Sequence, residues 1–183
     1  YPAAGSGAWL FSFRRAGRRM RPRQSALSSA LSRTEASRQN IIKAENTMAH
    51  ILRLAGIEEE SIVDGPGLRM TVFVQGCLLG CPGCQNPQTH DLNGGTEAAA
   101  EDILEKFCAD PLLAGITFSG GEPFLQPEPL LWLAREVHAR GRNVMSFSGY
   151  TFEQLMEKSL KNPPIRGLLD ELDALVDGPY IEK

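Results

Sequence analysis

Three cysteines, Cys77, Cys81 and Cys84, stand in the run Gly76-Cys-Leu-Leu-Gly-Cys-Pro-Gly-Cys-Gln-Asn86, and their spacing constrains this chain more than any other feature. Thiolates three and then two residues apart on one tight loop can converge on a single iron-sulfur cluster, for which cysteine sulfur is the usual ligand. A cubane has four irons, so three local cysteines leave one iron open. An open position can take a substrate, as in a catalytic rather than a structural zinc site. Other readings of the same residues are a structural zinc completed by Cys108 or His90, and free thiols buried in a reducing cytosol. The zinc reading lacks a second pair of ligands at short spacing. Three thiols this close cannot all pair as disulfides without strain. Cys108, followed by Ala-Asp-Pro, reads as a small core or helix-end residue with no assigned chemistry.

A second motif follows in Thr117-Phe-Ser-Gly-Gly-Glu-Pro123. The apolar residues 116–118 suggest a short strand, and Gly120 and Gly121 at its end permit close backbone approach or positive φ. A carboxylate comes next, at Glu122. Alone, this is an ordinary strand-end turn with a solvated glutamate. Beside the cysteine loop it becomes a candidate ligand-holding turn.

The spacing C-x3-C-x2-C resembles the signature of the radical S-adenosylmethionine superfamily, and the second motif is similar to its glycine-glycine-glutamate motif. The resemblance implies a 4Fe-4S cluster on Cys77, Cys81 and Cys84, with S-adenosylmethionine bound at the open iron. It further implies that Gly120, Gly121 and Glu122 hold the cofactor's methionine end, and that Gly83 lets its adenine approach the backbone near Cys84. The segment Ser61-Ile-Val-Asp-Gly-Pro-Gly-Leu-Arg69 resembles the approach to the cluster in enzymes that activate glycyl-radical proteins. Activators of the pyruvate formate-lyase type generally carry an aromatic residue before the third cysteine, where this chain has Pro82-Gly83. With Asn86-Pro-Gln-Thr-His-Asp91, Asn93-Gly-Gly95, Ser148-Gly-Tyr-Thr151 and Leu175-Val-Asp-Gly-Pro-Tyr180, the pattern resembles the activators of anaerobic ribonucleoside-triphosphate reductase.

What this implies is reductive cleavage of S-adenosylmethionine to a 5'-deoxyadenosyl radical, which makes a glycyl radical on the large subunit of the reductase. The implied partners are that subunit and an electron donor such as flavodoxin or ferredoxin. Activation of pyruvate formate-lyase or another glycyl-radical enzyme is the alternative, followed by a non-catalytic iron-sulfur carrier or a zinc module. Ser148 to Thr151 either line the same pocket or only turn into a helix; Asp64 and Arg69 either face the partner's glycine loop or form a solvated turn pair. His90 and Asp91 are expected to cap a loop. Oxygen-sensitive chemistry and free thiols suit a reducing cytoplasm.

Charge divides the chain. Up to Thr47 nine basic residues face two acidic ones, and from Met48 onward ten face twenty. Residues 1–47 are therefore read as a basic, disordered or non-native leader, and 48–183 as the radical S-adenosylmethionine domain. The leader fits a transit peptide loosely, and it lacks the aromatics interleaved with arginines that a nucleic-acid-binding arm would show. The expectation is that translation starts at Met48, and that the chain stops short of the segment with which relatives continue past Tyr180. No run is long and apolar enough to span a membrane, and neither nucleic acid nor membrane is an expected partner.

Within 48–183, strands are expected over 70–74, 115–118, 143–147 and 174–176. Helices are expected over 97–108 opened by Thr96, 129–140 closed by Gly141, and 151–159. Strands alternating with helices imply parallel α/β units with right-handed crossovers. These 136 residues are too few for a full eight-unit barrel of about 250. The resemblance supplies an incomplete, open α/β barrel with a parallel sheet. Topology then places function at the carboxyl ends of the strands.

Overall fold

The computed structural model describes Arg14–Arg15 and residues 50–181. Apart from those two arginines, the basic leader and its expected boundary at Met48 lie outside the described residues. The strands are β1 (Arg14–Arg15), β2 (Ile51–Ser61), β3 (Arg69–Val74), β4 (Thr96–Ala99), β5 (Gly115–Gly120), β6 (Asn143–Ser148) and β7 (Ala174–Asp177). They form one open sheet in the order β1-β7-β6-β5-β3-β2-β4. Pairs β3–β5, β5–β6 and β6–β7 are parallel, whereas β2 pairs antiparallel with β3 and β4, and β1 with β7. The expected parallel sheet is thus its centre, extended by antiparallel edges.

Among the described residues the α-helices are α1 (Ala100–Ala109), α2 (Pro127–Ala139), α3 (Phe152–Ser159) and α4 (Pro163–Glu171). Met70, Val72 and Val74 of β3 alternate toward one face, as do Ile116 and Phe118 of β5. They share a buried core with Ile103 and Phe107 of α1, Leu130, Leu133 and Val137 of α2, Leu155 of α3 and Leu168 of α4. Gly141, just past α2, has φ +74° and follows the ordinary rule for helix ends.

The structure departs from expectation at four places. Thr96 does not open a helix: Thr96–Ala99 pairs with Ile51–Leu54, and α1 starts at Ala100 without a side-chain cap. The sheet edge offers this segment a backbone partner, which overrides the helix preference of a Glu-Ala-Ala-Ala run. The long strand β2 was not expected, and neither was α4, which begins on Pro163-Pro164. Finally, Arg69 is neither solvated nor free to face a partner. It is fully buried at the amino end of β3, the edge opposite the cysteine loop. Its guanidinium donates to Thr117 Oγ1 (2.7 Å), Ile116 O (2.7 Å), Pro66 O (3.0 Å) and Asn143 Oδ1 (2.5 Å). Burial lowers its pKa, against the fields of Asp173 and Asp64. Asp64 is half-buried and accepts from Ser61 Oγ (2.5 Å) and Thr71 Oγ1 (3.1 Å).

Among the described residues no helix is long and apolar enough to cross a membrane.

Candidate metal centre

Because β3, β5 and β6 run parallel, the segments leaving their carboxyl ends meet at one edge. The cysteine loop leaves β3, the Gly-Gly-Glu turn leaves β5, and Ser148-Gly149 leaves β6. Backbone bonds join the first two directly: Gly121 N–H donates to Val74 O (2.8 Å) and Glu122 N–H to Gly76 O (2.8 Å).

Both glycines of the turn are required by this approach. Gly120 has φ +98°, and a Cβ on Gly121 would stand 2.2 Å from Gly76 O. The second motif therefore packs backbone against backbone on the base of the first.

The cysteine loop has its own turn chemistry. Cys84 N–H donates to Cys81 O (3.2 Å) across Pro82-Gly83, with Gly83 at φ +71°. Proline followed by a positive-φ glycine is the corner of a type II turn, so Gly83 serves the turn itself. The loop is closed from its far side, where Gly76 N–H donates to Thr89 O (2.8 Å) and Cys77 N–H to His90 O (3.3 Å).

Two glutamines that sequence reasoning passed over fix the rest. Buried Gln75 donates through Nε2 to Gln88 O (3.2 Å) and Asp91 O (2.7 Å). Gln126 accepts from Arg53 N–H (2.8 Å) and donates to Arg53 O (2.9 Å) and Gln75 O (3.0 Å). The available signal was a polar residue ending an apolar strand, where an unpaired amide would be costly.

Glu122 is the expected carboxylate in an unexpected setting. It is 1% exposed and accepts hydrogen bonds from Ser148 Oγ (3.0 Å), Gly149 N–H (3.0 Å) and Phe124 N–H (3.1 Å). Burial pushes its pKa to about 7, although these donors and the field of Lys158 favour the charged form. Its carboxylate ties the β5 turn to the β6 turn. Leu79 of the cysteine loop lies against Gly149, where a Cβ would meet its Cδ1 at 2.3 Å. Ser148 and Gly149 thus belong to the same assembly.

Cys77, Cys81 and Cys84 are each half-buried, whereas Cys108 is exposed on α1. Burial raises the Cys77 pKa; the Leu79 N–H opposes it, and Glu122, Cys81 and Cys84 add to it. Among the described residues no three His, Cys, Asp or Glu side chains converge as around a single metal ion. A cubane presents its irons at separate corners, so its thiolates need not meet at one point. Three half-buried thiols on a loop anchored at both ends are the donor set such a cluster takes. A buried ring nitrogen of His90 without a hydrogen-bond partner also lies in this segment.

The family model described as "4Fe-4S single cluster domain" matches residues 63–183. The pyruvate formate-lyase-activating enzyme of Clostridium pasteurianum is 41% identical over 106 residues, 55% of this chain and 44% of that protein. The anaerobic ribonucleoside-triphosphate reductase-activating protein of Salmonella typhimurium is 34% identical over 131 residues, 66% of this chain and 80% of that protein. The chain thus spans less than half the length of the first of these curated relatives. Among solved structures, QueE from Escherichia coli aligns over 55% of this chain and 54% of its own, with TM-score 0.44 and 18% identity.

Proposed function

We propose that this chain, which belongs to the 4Fe-4S single cluster domain family, activates anaerobic ribonucleoside-triphosphate reductase by installing a glycyl radical on its large subunit. The observation that carries the reading is the backbone stitching of the Gly-Gly-Glu turn to the cysteine loop, Glu122 N–H on Gly76 O at 2.8 Å. It brings a thiol set for iron and a turn for a small ligand to one sheet edge, where neither would suffice alone.

When bound, a 4Fe-4S cluster supplies the electron that cleaves S-adenosylmethionine reductively, giving the 5'-deoxyadenosyl radical that takes a hydrogen from the target glycine. Cys77, Cys81 and Cys84 would hold the cluster. The Gly120-Gly121 backbone receives the cofactor's methionine end, and the buried Glu122 carboxylate fixes that turn through Ser148 and Gly149. Gly83 shapes the corner before Cys84 and keeps it free of a side chain where the cofactor's base would approach. Leu79 covers Gly149 and shields the turn from water.

Pro82-Gly83 favours the reductase over pyruvate formate-lyase as target, since the second class generally carries an aromatic residue in that corner. The reducing partner in this reading is a small one-electron carrier of the flavodoxin or ferredoxin kind, and the working compartment is a reducing cytoplasm.

The test is anaerobic reconstitution with iron and sulfide, reduction, and addition of S-adenosylmethionine with either glycyl-radical enzyme. The expected result is 5'-deoxyadenosine together with a glycyl radical, seen by electron paramagnetic resonance, on the reductase. A radical on formate-lyase alone reassigns the target. A bound cluster without cleavage reduces the chain to a carrier, and uptake of zinc in place of iron removes the reading.

A further inference from the structure

We propose that His90 donates a hydrogen bond through Nε2 to the sulfur shell of the cluster and thereby tunes its reduction potential; this rests on the reading that Cys77, Cys81 and Cys84 hold that cluster. Among the described residues, His90 Nε2 is the buried side-chain nitrogen or oxygen that has no hydrogen-bond partner. Other buried polar groups here, Arg69, Gln75 and Glu122 among them, are fully engaged. A buried donor left unpaired is destabilising, and native interiors rarely tolerate it.

The position of His90 names the partner. Its own carbonyl accepts the Cys77 N–H (3.3 Å), and the preceding Thr89 carbonyl accepts the Gly76 N–H (2.8 Å). The segment that carries the imidazole therefore runs directly beside the first cysteine. Its fixation does not need the ring: Gln75 Nε2 holds the carbonyls of Gln88 and Asp91 on either side, at 3.2 and 2.7 Å. A ring that only filled space here would carry no polar nitrogen. Three thiolates and the sulfides they would enclose are the acceptors the loop brings to this place, and the tautomer protonated at Nε2 supplies the donor.

Hydrogen bonds to cluster sulfurs stabilise the reduced, more negative state and so raise the potential. His90 is then a positioning residue of the electron-transfer step, touching neither the substrate nor the scissile bond.

The experiment compares the full chain with His90→Phe and His90→Gln after anaerobic reconstitution. It measures bound iron and sulfide, and follows the midpoint potential by titration monitored with electron paramagnetic resonance. The expected result is equal loading, a potential shifted negative in His90→Phe, and a potential restored toward the parent in His90→Gln, whose amide keeps a donor at similar reach. Equal potentials in all three overturn the proposal while leaving the activase reading intact. If His90→Phe takes up no cluster, His90→Gln decides. Loading with a near-parental potential there supports the donor role, and loss of the cluster there too makes His90 a residue needed to load the cluster at all and overturns it. A parent chain that binds zinc and no iron overturns both this inference and the activase reading.

Discussion

Glu122 concentrates the physics of the site in one side chain. Its folded pKa of about 7 stands above the ordinary 4.5, so the native state holds a proton that the unfolded chain has released between those values. The stabilisation is complete below pH 4.5 and is lost as pH rises toward 7, on the order of 3 kcal/mol over the window. Urea midpoints followed from pH 4.5 to 7.5 are expected to fall with rising pH in the parent more steeply than in Glu122→Gln; parallel profiles would refute the assignment. Arg69 makes the complementary case. Removing a buried guanidinium leaves the carbonyls of Ile116 and Pro66 without their donor, so Arg69→Ala is expected to cost on the order of 3 kcal/mol. Arg69→Lys would recover only part of this in equilibrium denaturation, since an ammonium lacks the planar fork. The contrast shows what sequence can reveal at this scale. Cysteine spacing announces a metal because ligand geometry is local, whereas the burial of Arg69 depends on β5 and β6 closing over it, which no local pattern records.

Helices α2 and α3, which carry their own start or stop signals, were legible; α4 was not, although it begins on Pro163-Pro164, and neither were the elements defined by a neighbour. Helix α3 begins with a full capping box, Thr151 accepting from Gln154 N–H (3.3 Å) while the Gln154 side chain accepts from Thr151 N–H (2.9 Å). Thr151→Ala is therefore expected to lower stability by about 1 kcal/mol, read as a lower melting temperature without change in bound iron. Thr96 offered the same letter without the same structure, because Ile51–Leu54 pairs with it as an edge strand. The β2 strand has no such signal for a related reason: its alternation fades into the run Ile57-Glu-Glu-Glu60, and the register with β3 shifts between Leu54 and Gly56, before that run, and again between Glu58 and Ser61. The second motif was legible as a motif but not as a contact. Gly120-Gly121 suggests close approach without saying to what, and the answer is Gly76. A methyl group at Gly121 must push the two turns apart, since both sides are backbone. Gly121→Ala is expected to destabilise by about 1–3 kcal/mol and to reduce both iron uptake and S-adenosylmethionine cleavage. Normal loading and cleavage in that variant would mean that the stitching does not organise the site.

At the scale of the molecule, the open sheet separates stability from function along the strand axis. The middle strands β3, β5 and β6 are paired on both sides and mostly buried, while β4 at one edge is exposed or half-exposed throughout. At the amino ends of the middle strands, Arg69 binds β3 to β5 and β6 through Ile116, Thr117 and Asn143. At the carboxyl ends, loops replace strands, and turns shaped by Gly76, Gly83 and Gly120 at positive φ form the candidate site. Amide exchange should divide accordingly: slowest in β3, β5 and β6, and at least about a hundredfold faster in β4. Iron and S-adenosylmethionine are then expected to slow exchange in 76–95, 121–126 and 148–151, and to leave Arg69 and Asn143 unchanged. Ligands can protect only the segments whose opening they oppose, and these three segments are stitched to one another by the Glu122 and Gly149 amides. Protection spread evenly over the sheet would instead mean that the cluster loop and the core open as one unit, and that the amino-terminal edge does not brace the molecule independently of its site.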